Sequence, residues 1–205
     1  MQFSHLSKIS LLSLALVSTS VLAQVKPHSY GLTTGIASGE YKNSSNDGDG
    51  FAQAYFFYNY QFADNFSIEL AYAKSVEIDD WSWDCDEIEE DKWQCNYDDG
   101  SGPLFNTAAE EFELDNFIVA IKADLPISER NSLYAKLGAQ YYDYELYSDD
   151  SINKNWQGDT GTGLFLEAGW QYRWNCGIGM NVGLRYQDMG DLTFTSPNVG
   201  ISYAF

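Results

Sequence analysis

LFLEAGWQYRWNCGIGMNVGLRYQ, residues 164–187, is the stretch whose reading decides the fold. Leu164, Leu166, Ala168, Trp170, Tyr172 and Trp174 alternate with Phe165, Glu167, Gly169, Gln171 and Arg173. After a break at Asn175-Cys176 the pattern restarts: Ile178, Met180, Val182, Leu184 and Tyr186 face one way, Gly179, Asn181, Gly183, Arg185 and Gln187 the other. A period of two with one apolar and one mostly polar face is a strand. Each run has roughly the ten residues that a tilted strand needs to cross a bilayer, with apolar residues toward lipid and polar ones toward a lumen.

The same pattern extends outward in both directions, over Ser29 to Gly39, Phe51 to Phe62, Phe66 to Lys74, Phe112 to Asp124, Ser132 to Leu146 and Pro197 to Phe205. The expected fold is all-β: an eight-stranded antiparallel transmembrane β-barrel with short periplasmic turns and long extracellular loops. From a periplasmic N-terminus, the outer loops fall near Glu40 to Gly50, Val76 to Glu111, Tyr147 to Thr162 and Asp188 to Ser196. The turns fall at Ala63-Asp64-Asn65, Leu125 to Asn131 and Asn175-Cys176. Pro27, Pro103, Pro126 and Pro197 lie in connections or at a strand start, where a missing N–H breaks no ladder.

Composition fits this reading. Aromatic residues make up 16%, with Tyr 15 and Phe 12 beside Gly 17, which suits interfacial girdles and a narrow lumen. A net charge of -19 excludes a nucleic-acid partner, since a polyanion would be repelled. At the N-terminus, Lys8, the apolar run Ile9 to Val17 and Val21-Leu22-Ala23 form a signal peptide with the cut expected after Ala23. The run is shorter than the roughly 20 residues of a membrane anchor. The expected organisation is therefore a signal peptide over 1–23 and one barrel domain over 24–205.

The terminal run Val199, Ile201, Tyr203, Phe205 resembles the C-terminal signature of bacterial outer-membrane proteins. With the eight segments, the mature chain resembles the OmpA-like transmembrane domain and related small-barrel families. That resemblance implies that the barrel-assembly machinery reads Phe205, that periplasmic chaperones escort the chain, and that ionic pairs occupy the lumen. Full-length OmpA proteins continue into a peptidoglycan-binding domain, whereas this sequence stops at Phe205, so a tethering role is not expected.

The chain offers little for catalysis. Of two histidines, His5 leaves with the signal peptide and His28 precedes the first strand on the periplasmic side. Barrel enzymes that modify lipids resemble one another in placing a histidine base near the outer face, and this chain has none there. No cofactor is called for. The strand alternation sends Glu69, Lys122, Lys136, Glu167, Arg173 and Arg185 inward, where charges must pair or hold water. Such a set serves as a structural core or as a gate.

Two features single out the second outer loop. Cys85 and Cys95 lie close together in an oxidising compartment, where a disulfide is expected, with free thiols as the alternative. Cys176 sits in a turn at the opposite end. Between Val76 and Glu111 thirteen acids stand against Lys92 alone, a local charge of about -12, interspersed with Trp81, Trp83, Trp93, Tyr97 and Phe105. Asp84, Asp86, Glu87, Glu89, Glu90 and Asp91 could gather divalent cations. They lack the spacing of a calcium loop, so a site there would be adventitious. A solvated face and a binding loop both fit these residues.

The expected role is thus a structural or surface-interaction barrel, adhesin-like, with a loop that binds cations or a ligand. A narrow small-solute channel is the alternative, and a lipid-modifying enzyme the third reading. Partners would be outer-membrane lipids and lipopolysaccharide, the assembly machinery, and a cationic surface partner. Deleting Phe205 should lower the amount of inserted barrel far more than the loss of one side chain's burial, about 1.5 to 3 kcal/mol, would suggest. Quantitative blots of outer-membrane fractions check this, and wild-type levels would show that the terminal signal is unused.

Overall fold

The computed structural model describes residues 26–42, 44, 49–78, 82–89, 92–98, 104–105, 111–147 and 157–205, and at 49, 82–89, 92–98, 111, 147 and 157 the backbone alone. The expected signal peptide and its cut lie outside the described residues. Ten strands follow in order: β1 His28–Tyr41, β2 Asp49–Ala63, β3 Phe66–Glu77, β4 Ser82–Glu89, β5 Lys92–Asp98, β6 Glu111–Pro126, β7 Asn131–Tyr147, β8 Gln157–Arg173, β9 Ile178–Met189 and β10 Leu192–Ala204. Eight of them close into an antiparallel barrel, β1-β10-β9-β8-β7-β6-β3-β2, and β4 and β5 form a separate hairpin.

Register fixes the shape of the barrel. Paired residues lead from Ser29 through Asn59, Glu69, Ala120, Gly138, Phe165, Gln187 and Phe194 back to β1 at Gly39. The path returns ten residues beyond its start. With eight strands, about 4.8 Å apart and rising about 3.3 Å per residue, that offset tilts the strands by about 40°. The interior of such a barrel is only wide enough for side chains to fill it.

The outer wall carries an apolar belt. Leu32, Leu70, Val119, Ile121, Leu137, Leu166, Leu184 and Ile201 are all exposed there. So much exposed apolar surface on a soluble monomer would be an aggregation site; around a barrel it is the lipid-facing band. Tyr30, Tyr60, Phe62, Phe66, Trp174, Tyr203 and Phe205 mark its periplasmic edge, and Phe117, Tyr141 and Tyr186 lie toward the outer one. Phe205 donates its N–H to the His28 carbonyl at 2.9 Å and stacks on the His28 ring, so the last residue closes the seam between the first and last strands.

The strands run past the lengths expected from sequence, and four expectations are corrected. The fourth outer connection is not a loop over Asp188 to Ser196. β9 runs to Met189 and β10 starts at Leu192, leaving a two-residue turn in which Gly190 adopts φ 76. Leu192 and Phe194 are buried in the barrel mouth while the alternate residues are Thr193 and Thr195. A strand end rising above lipid needs no apolar outer face, which is why the alternation looked broken. The third connection is likewise shorter than Tyr147 to Thr162, because β8 begins at Gln157. Loop lengths therefore do not sort by end without exception.

Pro197 lies inside β10, not at a strand start. Pairing between β1 and β10 skips from Gly35–Asn198 to Ser38–Thr195, so the position without an N–H falls in a gap of the closing ladder.

The hairpin is the last correction, because the sequence alone places 76–111 in a loop. A period of two is present there, but the density of acids hid it. Register sets Trp83 opposite Tyr97 and Cys85 opposite Cys95. Directly opposed residues of an antiparallel pair are about as close as a disulfide requires. Cys176 is exposed in the β8–β9 turn and free. Thiol titration of the folded, unreduced mature protein should count one reactive thiol, rising to three after reduction and unfolding. Three thiols without reductant would remove the bridge.

Candidate functional site

The lumen is filled in layers. Its charged centre consists of Glu69 on β3, Lys136 on β7, Glu167 on β8 and Arg185 on β9, each buried. Lys136 Nζ lies 2.8 Å from Glu69 and 3.0 Å from Glu167, and the Arg185 guanidinium is 2.7 Å from Glu167. Two cations against two carboxylates make a neutral group, the condition under which charges persist in a low-dielectric interior. Tyr55 and Tyr134 add to the carboxylates' partners, donating to Glu69 Oε1 at 2.5 Å and to Glu167 Oε1 at 2.9 Å. The Arg185 guanidinium also stacks 3.8 Å from the Tyr55 ring centre.

Above this group lies a layer of amides. Arg185 donates to Gln53 at 2.6 Å and to Thr33 at 3.0 Å; Gln53 donates to Gln187 at 2.8 Å and to Ser75 at 3.0 Å; Gln187 donates to Gln140 at 2.7 Å. One arginine thus ties β9 to β8, β2 and β1 across the lumen. Above the amides an apolar cluster closes the extracellular mouth, with Phe51, Phe112, Leu114, Tyr142, Leu146, Met189, Leu192 and Phe194 from the wall and Leu104 and Phe105 from the second outer loop.

Below the centre, toward the periplasm, a small polar cavity of about 20 Å³ is bordered by Asn59, Glu69, Lys122, Gln171, Arg173 and Asn181 among others. Asn59 Oδ1 and Glu69 Oε2 have no protein partner. A polar cavity of this kind holds water.

Of the six inward charges read from the sequence, four meet in one cluster. Lys122 stands apart, 2.9 Å from Asp124 and donating to Gln171 at 2.7 Å, and Arg173 lines the cavity. Lys122 and Lys136 are directly opposed in the register, so each needs its own carboxylate. Sequence reasoning missed Asp124 and the amide layer. β2 carries aromatics on both faces, which buried the signal of Gln53 and Tyr55. The Leu104-Phe105 plug had a faint signal, an uncharged apolar pair within an acidic loop.

Outside the lipid belt the surface is acidic. Glu113 opposes Glu145 and Asp115 opposes Asp143 across β6 and β7, with Lys74 3.4 Å from Glu113. Lys42 donates to Asp191 at 2.8 Å, which holds its ammonium above its ordinary range and clips the end of β1 to the β9–β10 turn. Of the hairpin acids, Asp84, Asp86, Glu87 and Glu89 have only their backbone described, and Glu90 and Asp91 lie outside the described residues. Among the described residues no group of three or more metal-ligating side chains occurs. His28 donates or accepts at 2.7 Å with Tyr58, within the periplasmic girdle.

A family model described as the outer membrane protein beta-barrel domain matches residues 9–205. The chain belongs to that family. It is a multi-pass protein of the bacterial outer membrane. No curated protein matches the sequence. Among solved structures, neisserial surface protein A aligns with TM-score 0.62 at 12% identity over 87% of this chain and 97% of its own. Ail, the attachment invasion locus protein of Yersinia pestis, aligns with TM-score 0.56 at 15% identity over the same shares. OprG of Pseudomonas aeruginosa aligns with TM-score 0.51 at 15% identity, over 88% of this chain and 97% of that one. At these identities the likeness is one of fold.

In this barrel-domain protein the ion pairs of the charged centre link β3, β7, β8 and β9 across the lumen, the geometry of a clamp. Glu167→Ala would leave Lys136 and Arg185 to share Glu69, an uncompensated buried charge costing about 3–5 kcal/mol. Urea unfolding in detergent, followed by the heat-sensitive gel shift of folded barrels, should show that loss. A variant as stable as the native chain would refute the clamp.

Proposed function

We propose that the protein is a non-enzymatic surface-interaction barrel whose binding element is the acidic hairpin β4–β5, and that it takes a cationic partner or divalent cations bridging it to anionic lipopolysaccharide. The observation that carries the reading is the hairpin register. Trp83, Cys85, Glu87, Trp93, Cys95 and Tyr97 share one face by position, and Ser82, Asp84, Asp86, Gln94, Asn96 and Asp98 share the other. Aromatics presented in a fixed frame are typical of recognition surfaces, and a disulfide across Cys85 and Cys95 would lower the ordering cost of binding.

The acidic rim on β6 and β7 extends the same charge down to the edge of the lipid belt. Ail, of similar fold, has been solved with the heparin analogue sucrose octasulfate, a polyanion. The sign of the charge here favours a partner of the opposite kind. What argues against the rival channel reading is the lumen, in which a charged layer, an amide layer and an apolar plug lie in series. What argues against a barrel enzyme is the place of His28, the one histidine among the described residues, in the periplasmic girdle.

The test replaces Asp84 through Asp91 by neutral residues while keeping Cys85 and Ile88. Calcium binding and attachment to neighbouring or host cells are then measured at two ionic strengths. Both should fall, and the native attachment should weaken as salt screens it. Unchanged binding and attachment in a normally inserted variant would leave the hairpin a solvated surface and end the proposal.

A further inference from the structure

The barrel mouth is filled by two residues that belong to no wall strand. Leu104 and Phe105 are each only 2% exposed. The Phe105 ring lies over Phe51 and beside Tyr41, both at 5.7 Å between centres. We propose that the space they fill is a binding well for a small aromatic or branched-aliphatic molecule carrying one hydrogen-bond donor, and that Leu104 and Phe105 are its exchangeable resident occupants.

The rings of the wall also pack on one another. Phe51 packs at 4.8 Å on both Phe112 and Phe194, which are 5.7 Å from each other, so these rings support one another. Gly39 makes room for them. A Cβ there would come 2.6 Å from the Phe51 ring, 2.9 Å from that of Phe194 and 3.1 Å from that of Phe105.

The occupant is held under strain. Phe105 adopts φ 52, a left-handed conformation that a bulky L-residue keeps only where its surroundings impose it. The docked ring and a hydrogen bond from Ser44 Oγ to the Phe105 carbonyl at 2.9 Å are among the contacts that hold it. Withdrawal relieves that strain, which favours exchange for an unstrained ligand of like shape.

Beneath the apolar lining lies a polar group without a partner. Asn116 is fully buried, its Nδ2 is 3.8 Å from Met189 Sδ in the lining, and its Oδ1 accepts no hydrogen bond. A buried acceptor left unmade is costly, and an apolar pocket with one such group is the usual form of a small-molecule site. The Gln53–Gln187–Gln140 layer lies farther in, so the well is a dead end and not a passage.

The methionines supply a built-in test. Met1 precedes the expected cleavage site, Met180 faces lipid on β9, and Met189 lines the well. The full mature chain, labelled with ¹³C-methyl methionine in lipid nanodiscs, is titrated with indole, which carries an N–H, and with 1-methylindole, which does not. Indole should move the Met189 methyl saturably, while Met180 drifts linearly as indole partitions into lipid. The L104G/F105G double variant, its folding verified by heat-sensitive gel shift, should bind indole about tenfold more tightly, because the competing occupant is gone. Asn116→Ala should erase the preference for indole over 1-methylindole. Ser44→Ala, which removes the side-chain bond to the Phe105 carbonyl, should also tighten binding and serves if the double variant does not fold. The proposal is overturned if Met189 responds no more than Met180, or if releasing the plug by either route leaves the affinity unchanged.

Discussion

Inside hydrocarbon no backbone N–H or C=O can go without a partner, and every other feature of this molecule follows from the closure that this demands. Closing eight strands with an offset of ten residues leaves a lumen that side chains must fill. Inward residues of distant strands are thereby forced into contact. Glu69, Lys136, Glu167 and Arg185 come from four strands, and none could keep its charge in that volume alone. Their neutrality as a group is a condition of closure. The gap at Pro197 is tolerable for a related reason: it interrupts only the β1–β10 ladder, while the other edge of β10 stays paired to β9 throughout.

How far this could be read from the sequence depended on which side of the lipid boundary a residue lies. Between the girdles both faces are constrained, one by lipid and one by the lumen, so the alternation of 164–187 was unambiguous and the eight strands and inward charges followed. Above the outer girdle the outward face meets water and the constraint lapses. Thr193 and Thr195 therefore looked like loop, although Leu192 and Phe194 beside them are fully buried. The hairpin was hidden in the same way, its aromatic positions diluted by acids. Contacts between distant strands, such as Arg185 with Gln53, leave no local trace at all.

The two ends consequently differ in kind. At the periplasmic end the turns are short, and aromatic rings gather around Phe205 and His28. At the outer end β6, β7 and β8, with 16, 17 and 17 residues, overrun β9 and β10, with 12 and 13, and β8 loses its pairing to β9 above Phe165–Gln187. Glu113–Glu145 and Asp115–Asp143 are directly opposed like charges, an unfavourable arrangement in a sheet. Water and salt screen such pairs and lipid does not, so this register itself marks where the membrane stops.

The plug connects that outer surface to the core. Leu104 follows the end of β5 at Asp98 by six residues, and β4 follows the end of β3 at Glu77 by five. At no more than about 3.6 Å per residue, the hairpin's two ends are held within roughly 22 Å of the docked plug and 18 Å of the barrel wall. A segment so tethered cannot sweep the cell surface as a free loop of thirty-odd residues would. It presents its faces from a restricted volume directly over the barrel rim, and the tether on one side is only as firm as the docking of Leu104 and Phe105. The seating of the plug and the freedom of the acidic hairpin are therefore coupled: the more firmly the plug is seated, the smaller the conformational entropy left to the hairpin.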